Sequence, residues 1–268
     1  FYMYLNVGAS GSSLFPDYRY GAELYKNFGG GWEASAGAFR LHFDSTTAKL
    51  YTGSLGKYWR NYWFSLRPTL SIRDPDNSLS WRFGDTGTQF EVDAYPKLPN
   101  RFYMYLNVGA SGSSLFPDYR YGAELSKNFG GGWEASAGAF RLHFDSTTAK
   151  LYTGSLGKYW RNYWFSLRPT LSIRDPDNSL SWRFSTRRYF GAREDYVGFS
   201  VGTGTRPEQD FLTGTENDLN SGRLQVEAQK RIIGRWIAKA SAGMREQEFL
   251  TTDTRDSWFV RVGMEWWF

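Results

Sequence analysis

Apolar and polar residues alternate along the last stretch of the chain, residues 256–268. Successive side chains of a β-strand point to opposite faces, so this stretch predicts a strand with one apolar face and one charged face. The apolar face has aromatic residues at both ends and aliphatic residues between them, whereas Arg261 and Glu265 fall on the other face. An apolar band flanked by aromatic residues is typical of a lipid-facing strand of a membrane barrel. The edge strand of a soluble β-sandwich is the alternative that this stretch alone leaves open.

The same period of two recurs along most of the chain. Strands are predicted at 1–11, 17–28, 32–43, 47–59 and 62–73, at the equivalent positions between 102 and 190, and at 195–205, 223–233, 235–250 and 257–268. The phase slips near Phe39, which predicts a β-bulge. The Arg60-Asn61 turn is flanked by aromatic residues that suit a membrane interface. Short and longer connections alternate, as in outer-membrane barrels, and this asymmetry favours a barrel over a sandwich.

Residues 1–83 recur almost unchanged as residues 102–184. The two copies differ at one position of 83, where Tyr25 is replaced by Ser126. Each copy holds about six strands, which is far more than the unit of a solenoid. Such near-identity indicates a very recent duplication or an engineered fusion, of which we favour the fusion. The predicted organisation is one barrel over 1–268, with the two copies joined by 84–101 and unique strands from 185 to 268.

Strand direction sets the strand number. If the last strand ends in the periplasm, 78–83 and 88–95 must both run inward, and two such strands cannot be joined by the short 84–87 turn. We therefore treat 78–98 as one crossing with an irregularity at 84–87. The resulting prediction is a closed antiparallel transmembrane barrel of about sixteen strands (fourteen to eighteen), with both termini in the periplasm.

Composition narrows the class of protein. No apolar run reaches 18 residues, so no transmembrane helix is predicted. The mean hydropathy of −0.55 suits a soluble protein, but half of each barrel strand is polar. Twelve Trp, 18 Tyr and 21 Phe are explained by aromatic belts at two membrane interfaces. The absence of Cys excludes disulfides, and a net charge of +5 without a basic block predicts no nucleic-acid partner. The chain begins within a strand and shows no secretion signal, which predicts processing or truncation.

Several motifs carry a resemblance to known families. The final strand, with Trp266 and the terminal Phe268, resembles the assembly signal of bacterial outer-membrane barrels. The aromatic-rich stretches 159–169, 179–190 and 195–204, together with that strand, resemble the YaiO family of outer-membrane barrels. The resemblance covers about 85–268, and it implies an outer-membrane location, the lipid bilayer and lipopolysaccharide as surroundings, and the barrel assembly machinery as a partner. Similar barrels stand beside exopolysaccharide machinery, so the family also implies a link to polysaccharide export. The duplicate replaces the usual first strands, which puts the native pore size in doubt.

Charged and polar side chains of the inward phase are the candidate functional residues. They are Arg19, Glu23, Tyr25, Glu33, Arg67, Ser126, Arg183, Arg187, Arg223, Glu227, Arg231, Lys239, Arg245, Arg261 and Glu265. Basic residues outnumber acidic ones, and rings of Arg and Lys favour anions or sugar-acid chains, while Tyr and Trp stack on sugars. The alternative is that these side chains only form Arg–Glu pairs that hold the wall together.

Other chemistry is weakly indicated. An enzyme at the outer rim would use His42 or His143, beside Asp44 and Ser45 or their equivalents Asp145 and Ser146. Because Ser45 points away from the face of His42, surface histidines are the better interpretation, and we predict no enzyme. A Ca²⁺ site at Asp74, Asp76 and Asn77 is likewise weaker than a simple turn, and no metal or other cofactor is predicted. The sequence thus favours a mildly basic pore for ions or small polar solutes, with a scaffold barrel or a rim enzyme as alternatives.

Overall fold

The computed structural model describes residues 1–10, 16–43, 46–60, 62–75, 86–112, 117–144, 147–174, 178–192, 194–204, 220–232, 234, 236–248 and 254–267. Every regular element within these ranges is a β-strand. The strands are β1 (Tyr2–Ser10), β2 (Tyr18–Gly29), β3 (Trp32–Phe43), β4 (Thr46–Trp59), β5 (Tyr62–Pro75), β6 (Thr86–Ala94), β7 (Lys97–Leu98), β8 (Phe102–Ser111), β9 (Tyr119–Gly130), β10 (Trp133–Phe144), β11 (Thr147–Trp160), β12 (Tyr163–Arg174), β13 (Asn178–Tyr189), β14 (Tyr196–Thr203), β15 (Asn220–Arg231), β16 (Trp236–Glu248) and β17 (Thr254–Trp267).

The strands form one closed antiparallel sheet. Each strand pairs with its neighbours in the chain, and β1 pairs with β17 to close the barrel. Strands β6 and β7 are one crossing, because both pair with β8 in one continuous register that is interrupted at Pro96. Proline has no N–H to donate to a sheet, which explains the interruption. The barrel therefore has sixteen crossings, as the sequence predicts. Among the described residues, no helix has the length and apolarity needed to span a membrane.

The two ends of the barrel differ in their connections. The turns at residues 30–31, 60–61, 131–132 and 161–162 have only two residues and lie at the same end as both termini. Arg60 and Arg161 have positive φ angles of 54° and 52°, as tight hairpin turns require. The opposite end includes the 204–219 connection. Short turns mark the periplasmic end of outer-membrane barrels, and this rule orients the barrel.

The alternation of faces continues through Phe39, so the predicted β-bulge is wrong. Strand β3 pairs with β4 without a register shift, and Phe39 lies opposite Leu50. Its ring points inward and lies across Gly21 of β2, where any side chain would collide with it. Phe140 repeats this arrangement over Gly122 in the second copy. The apparent slip in phase comes from an aromatic residue that belongs to the lumen.

The two copies diverge at their junction. In the second copy Ile173 pairs with Asn178. If the first copy had the same register, Ile72 would pair with Asn77. Ile72 instead pairs with Thr86, nine residues further along the chain. A register shift by an odd number of residues moves every side chain of the strand to the other face of the sheet. In the observed register Glu91 and Asp93 face the lumen, whereas in the register of the second copy they would face the lipid. Residues 86–98 form one crossing, as predicted, whereas the rest of the predicted crossing and half of the predicted irregularity, residues 84–85, lie outside the described residues.

Candidate functional site in the barrel wall

Ion pairs connect the inward side chains of the first copy. Glu23 of β2 pairs with Arg67 of β5 at 3.2 Å and accepts a hydrogen bond of 2.6 Å from Ser35 of β3. Ser35 is also hydrogen-bonded to Ser54 of β4. The polar contacts thus run across four neighbouring strands, and they leave the carboxylate of Glu23 buried and paired.

The second copy repeats this network with a tighter ion pair. Arg168 binds Glu124 through two hydrogen bonds of 2.9 and 3.0 Å, a bidentate geometry that the first copy lacks. The one sequence difference between the copies lies beside this network. Tyr25 stacks on Tyr2 with ring centroids 4.4 Å apart, whereas Ser126 at the equivalent position cannot stack. Two carboxylates are therefore neutralised within the duplicated part of the wall.

The junction strand adds acidic groups that are also satisfied. Glu91 pairs with Arg120 at 2.9 Å, and Arg120 also donates a hydrogen bond of 2.7 Å to Asn107. Asp93 accepts hydrogen bonds from Asn107 at 2.8 Å and from Tyr105 at 2.9 Å. Strand β6 therefore holds its two carboxylates against polar partners on β8 and β9.

Three more ion pairs occur among the described residues between 185 and 268. Arg187 binds Glu227 at 2.8 Å across Gly198, whose missing side chain leaves room for both. The other two pairs are Lys239 with Glu265 at 2.6 Å and Arg231 with Glu194 at 3.6 Å. Most of the predicted carboxylates on the inner face are therefore already compensated.

Five arginines, which we call the arginine belt, cross the inner wall from β13 to β2: Arg183, Arg223, Arg245, Arg261 and Arg19. Strand pairing sets Arg223 directly opposite Arg245. Gly8 lies between Arg261 and Arg19, with each directly opposite it on the neighbouring strand. Within the described part of the chain, neither Arg19 nor Arg261 has a carboxylate partner, and the buried Nε of Arg19 has no hydrogen-bond partner. Arg19 and Arg261 therefore bring positive charge to this side of the lumen that no carboxylate of the described residues compensates.

Phe259 lies within this belt and is one of the most buried side chains, at 2% exposed. The Arg261 guanidinium lies 4.5 Å from its ring centre and the Arg223 guanidinium 5.3 Å away. Cations over an aromatic ring are attracted to its π-face, so Phe259 holds two arginines that would otherwise repel each other.

The arginines border two cavities. A cavity of 350 Å³ is lined by Arg168, Arg183, Arg187, Arg223 and Arg261. A second cavity of 210 Å³ is lined by Arg19, Arg261 and Lys239, together with Tyr4 and Asn6. Arg261 borders both cavities and so lies at the centre of the basic wall.

A chain of aromatic side chains faces the lumen and runs from the periplasmic end toward the outer end. Tyr58, Trp63, Tyr95, Tyr105 and Phe140 form a chain with successive ring centroids 4.9–6.0 Å apart. The sequence assigned the aromatic residues around Arg60-Asn61 to an interface girdle. That interpretation is wrong for Tyr58 and Trp63, because the residues of a strand alternate and only Trp59 and Tyr62 of that group face lipid. Counting the phase through the turn would have identified the two lumenal rings.

Two aromatic rings on β12 and β14 contact an arginine of β13, the strand between them. The Arg187 guanidinium lies 4.5 Å from the ring centre of Tyr196 and 5.3 Å from that of Trp164. Glu33, predicted for the lumen, lies within hydrogen-bonding reach of Tyr2. The periplasmic part of the lumen therefore offers flat rings as well as charged groups.

The residues predicted to line the pore lie on the inward phase of their strands. Their role in an open pore stays a prediction. Trp266 lies in β17, paired with Trp236 and Met3, but its side chain and all of Phe268 lie outside the described residues. The assembly signal at this end of the chain therefore also stays a prediction.

The two histidines face outward at the outer end of the barrel. His42 stacks on Tyr18 with ring centroids 4.5 Å apart and is 3.0 Å from the hydroxyl of Thr47, and His143 is placed in the same way. Asp44, Ser45, Asp145, Ser146, Asp76 and Asn77, and the side chain of Asp74, lie outside the described residues. Among the described residues, no cluster of His, Asp and Glu could hold a metal.

The fold is that of outer-membrane porins and channels. A structure described as a bacterial polysaccharide outer membrane secretin is 11% identical, with 99% of this chain and 98% of that chain covered and a TM-score of 0.66. The CymD monoaromatic hydrocarbon channel is 7% identical over 100% and 87% of the two chains, with a TM-score of 0.57. OccK3 (OpdO) of Pseudomonas aeruginosa is 9% identical over 99% and 93%, also with a TM-score of 0.57.

Sequence comparison identifies the family. No curated protein matches the chain. The model of the YaiO membrane beta barrel domain matches residues 1–81 and again residues 78–209, so that it recognises both copies. Such a barrel lies in the bacterial outer membrane. The chain belongs to the YaiO family of membrane β-barrels.

Proposed function

We propose that the barrel is a pore for anionic polar solutes, with sugar-acid chains as the preferred class. The observation that carries this proposal is the arginine belt, in which Arg19 and Arg261 have no carboxylate partner among the described residues. Elsewhere on the wall, Glu23, Glu124 and Glu227 are paired with arginine. Rings of basic side chains select anions, because they replace part of the hydration that a negative charge loses in a pore.

The aromatic chain from Tyr58 to Phe140 supports sugars as the solutes. Flat rings offer apolar faces to the C–H faces of a sugar, while the arginines offer bidentate hydrogen bonds to carboxylates. The likeness in fold to a polysaccharide secretin accords with this proposal. Because the sequence identity to that secretin is low, the proposal is supported by the charged and aromatic side chains of the barrel wall and not by this likeness.

Neutralising two arginines should lower the anion preference of the pore. For Arg19→Gln/Arg261→Gln we expect the ratio of anion to cation permeability to fall at least about twofold, because the belt loses the two charges without a carboxylate partner. The measurement is the reversal potential of single channels in a planar bilayer under a KCl gradient. Oligogalacturonate added to one side should block the unchanged pore more strongly than a neutral oligosaccharide of equal length.

A matched control removes the same charge outside the lumen. Lys57 and Lys158 face outward and lie over Trp32 and Trp133. Lys57→Gln/Lys158→Gln should leave the reversal potential unchanged. A cation-selective pore, or folded barrels without any conductance, would overturn the proposal and leave a scaffold barrel as the better account.

We also propose that the protein is not an enzyme, although His42 and His143 are the available imidazoles. Each is held by a stacked Tyr and a Thr hydroxyl on the outward face. We expect phospholipid and lipopolysaccharide substrates to remain intact, in a mass-spectrometric assay, with both the unchanged protein and His42→Ala/His143→Ala. Hydrolysis by the unchanged protein that the double variant loses would establish the rim enzyme instead.

A further inference from the structure

Two pairs of basic side chains stand on the lipid-facing surface near the outer end of the barrel. Arg40 of β3 lies directly opposite Lys49 of β4, and Arg141 of β10 lies directly opposite Lys150 of β11. We call these the first and second basic pairs. They face outward, because Arg40 and Arg141 share their phase with the outward alanines of the same strands. Like charges directly opposite each other destabilise a sheet.

The depth of the pairs is set by the strand that carries them. Arg141 is eight residues from Trp133, which begins β10 at the periplasmic end, and the outward residues between them are Ala135, Ala137 and Ala139. At about 3.3 Å per residue this is roughly 26 Å along the strand, or about 20 Å across the membrane at a tilt of about 40°. The apolar band of such barrels is about 25 Å tall. The second basic pair therefore lies within about 5 Å of the outer boundary of the band, and its long side chains can reach the lipid headgroups.

Nothing in the described part of the protein compensates the second pair. Neither Arg141 nor Lys150 forms an ion pair there, and the buried Nε of Arg141 has no hydrogen-bond partner. The neighbouring outward residues are aromatic, with Tyr121 and Tyr152 both 47% exposed. Tyr121 lies directly opposite Arg141 on β9.

Outward lysines at the periplasmic end are arranged differently. Lys158 lies 4.4 Å from the ring centre of Trp133, and Lys127 lies 4.4 Å from that of Phe102. Each of these cations is satisfied by an aromatic residue of the girdle. At the outer end, by contrast, cation faces cation, an arrangement that suits a shared anion between them.

We propose that the second basic pair binds a phosphate of the lipopolysaccharide headgroup in the outer leaflet. Basic sites on membrane proteins bind anionic lipid headgroups, and Arg is suited to bidentate contact with a phosphate. The phosphate lies between the two cations and cancels their repulsion, and the exposed tyrosines contact the glycolipid beside it.

Native mass spectrometry with lipid A tests the proposal. The purified full-length barrel in detergent should bind one molecule of bisphosphorylated lipid A. Arg141→Gln/Lys150→Gln should weaken this binding at least tenfold. Lipid A stripped of both phosphates should bind the unchanged barrel as weakly as this double variant binds the intact lipid.

Controls separate this site from general lipid adsorption and from misfolding. Lys57→Gln/Lys158→Gln removes outward charge at the opposite interface and should bind lipid A like the unchanged barrel. Arg141→Gln/Lys150→Gln should keep its far-UV circular dichroism and its conductance, because its changes lie outside the lumen. Equal binding by this double variant, or equal binding of the dephosphorylated lipid, would overturn the proposal.

Discussion

Deleting residues 1–101 should leave a chain that closes as a ten-stranded barrel with a much smaller pore. Strand β1 seals the present barrel by pairing with β17 from Tyr2↔Trp267 to Ser10↔Phe259. Residues 102–111 have the same sequence as residues 1–10, so β8 offers β17 the same side chains. The deletion removes six crossings and so preserves an even number, which an antiparallel barrel needs for closure between its first and last strands.

The expected loss of conductance follows from barrel geometry. Barrel diameter grows roughly linearly with strand number, so the cross-section should fall by about 2.6-fold between sixteen and ten strands. Side chains then fill a larger share of the lumen, and we expect the conductance of single channels to fall at least about threefold. Planar-bilayer recording of both chains under the same conditions measures this difference.

A disulfide reports which strand closes the barrel. Leu5 lies opposite Met264, and the chain has no natural Cys. Leu106→Cys/Met264→Cys should cross-link in the shortened chain but not in the full chain, where Leu106 pairs with Ala94 and Ala123. Leu5→Cys/Met264→Cys in the full chain is the positive control. A shortened chain that folds without this cross-link, or one with undiminished conductance, would contradict the expected closure.

Gly21→Ala should strongly destabilise the barrel. A Cβ at this position would overlap the ring of Phe39 and lie 2.5 Å from the carbonyl oxygen of Ala38. Since both the ring and the backbone of β3 would have to move, we expect the free energy of unfolding to fall by about 2–3 kcal/mol. Denaturant titration in lipid vesicles, followed by Trp fluorescence, measures the loss.

Three other glycines calibrate this result. Gly122→Ala should cost as much, because Phe140 lies across Gly122 in the same way. Gly8→Ala should cost less, since its nearest atoms are the Val260 oxygen at 3.1 Å and the Arg19 side chain at 3.3 Å. No atom lies within 4 Å of a Cβ at Gly112, so Gly112→Ala should change the free energy by less than about 0.5 kcal/mol. If Gly21→Ala behaved like Gly112→Ala, the packing of Phe39 over Gly21 would be wrong.

The sequence predicts the strands well because each strand carries its own alternation. The predicted strands at 17–28 and 32–43 agree with β2 and β3 to within a residue at each end. The bulge predicted at Phe39 is wrong, because the inward position of an aromatic ring depends on a glycine in the neighbouring strand. Period alone cannot show which two residues will meet across a sheet.

In the candidate site, too, the sequence predicts which face a side chain is on but not which residue it contacts. Alternation identifies Arg187, Glu227 and Arg261 as inward-facing, because that property is local. It does not show that Arg187 reaches Glu227 across Gly198 while Arg261 has no carboxylate partner among the described residues. Those contacts join strands that are distant in sequence, so they depend on register. The sequence therefore predicts which charged side chains face the lumen, but the register of the strands decides which of them are paired with an opposite charge.

The nine-residue offset at the junction bears on how a barrel can be enlarged. The first copy ends at Phe83, in the middle of what is strand β13 in the second copy, so the repeated unit is not a whole number of hairpins. The barrel nevertheless gains an even number of crossings, because β6 and β7 replace the interrupted strand with residues of the linker. A duplicated segment that ends within a strand can therefore still form a closed barrel when a short adjoining segment has the correct alternation of apolar and polar residues. Enlargement of a barrel then requires only one compatible strand at the seam, and the breakpoints need not fall in turns.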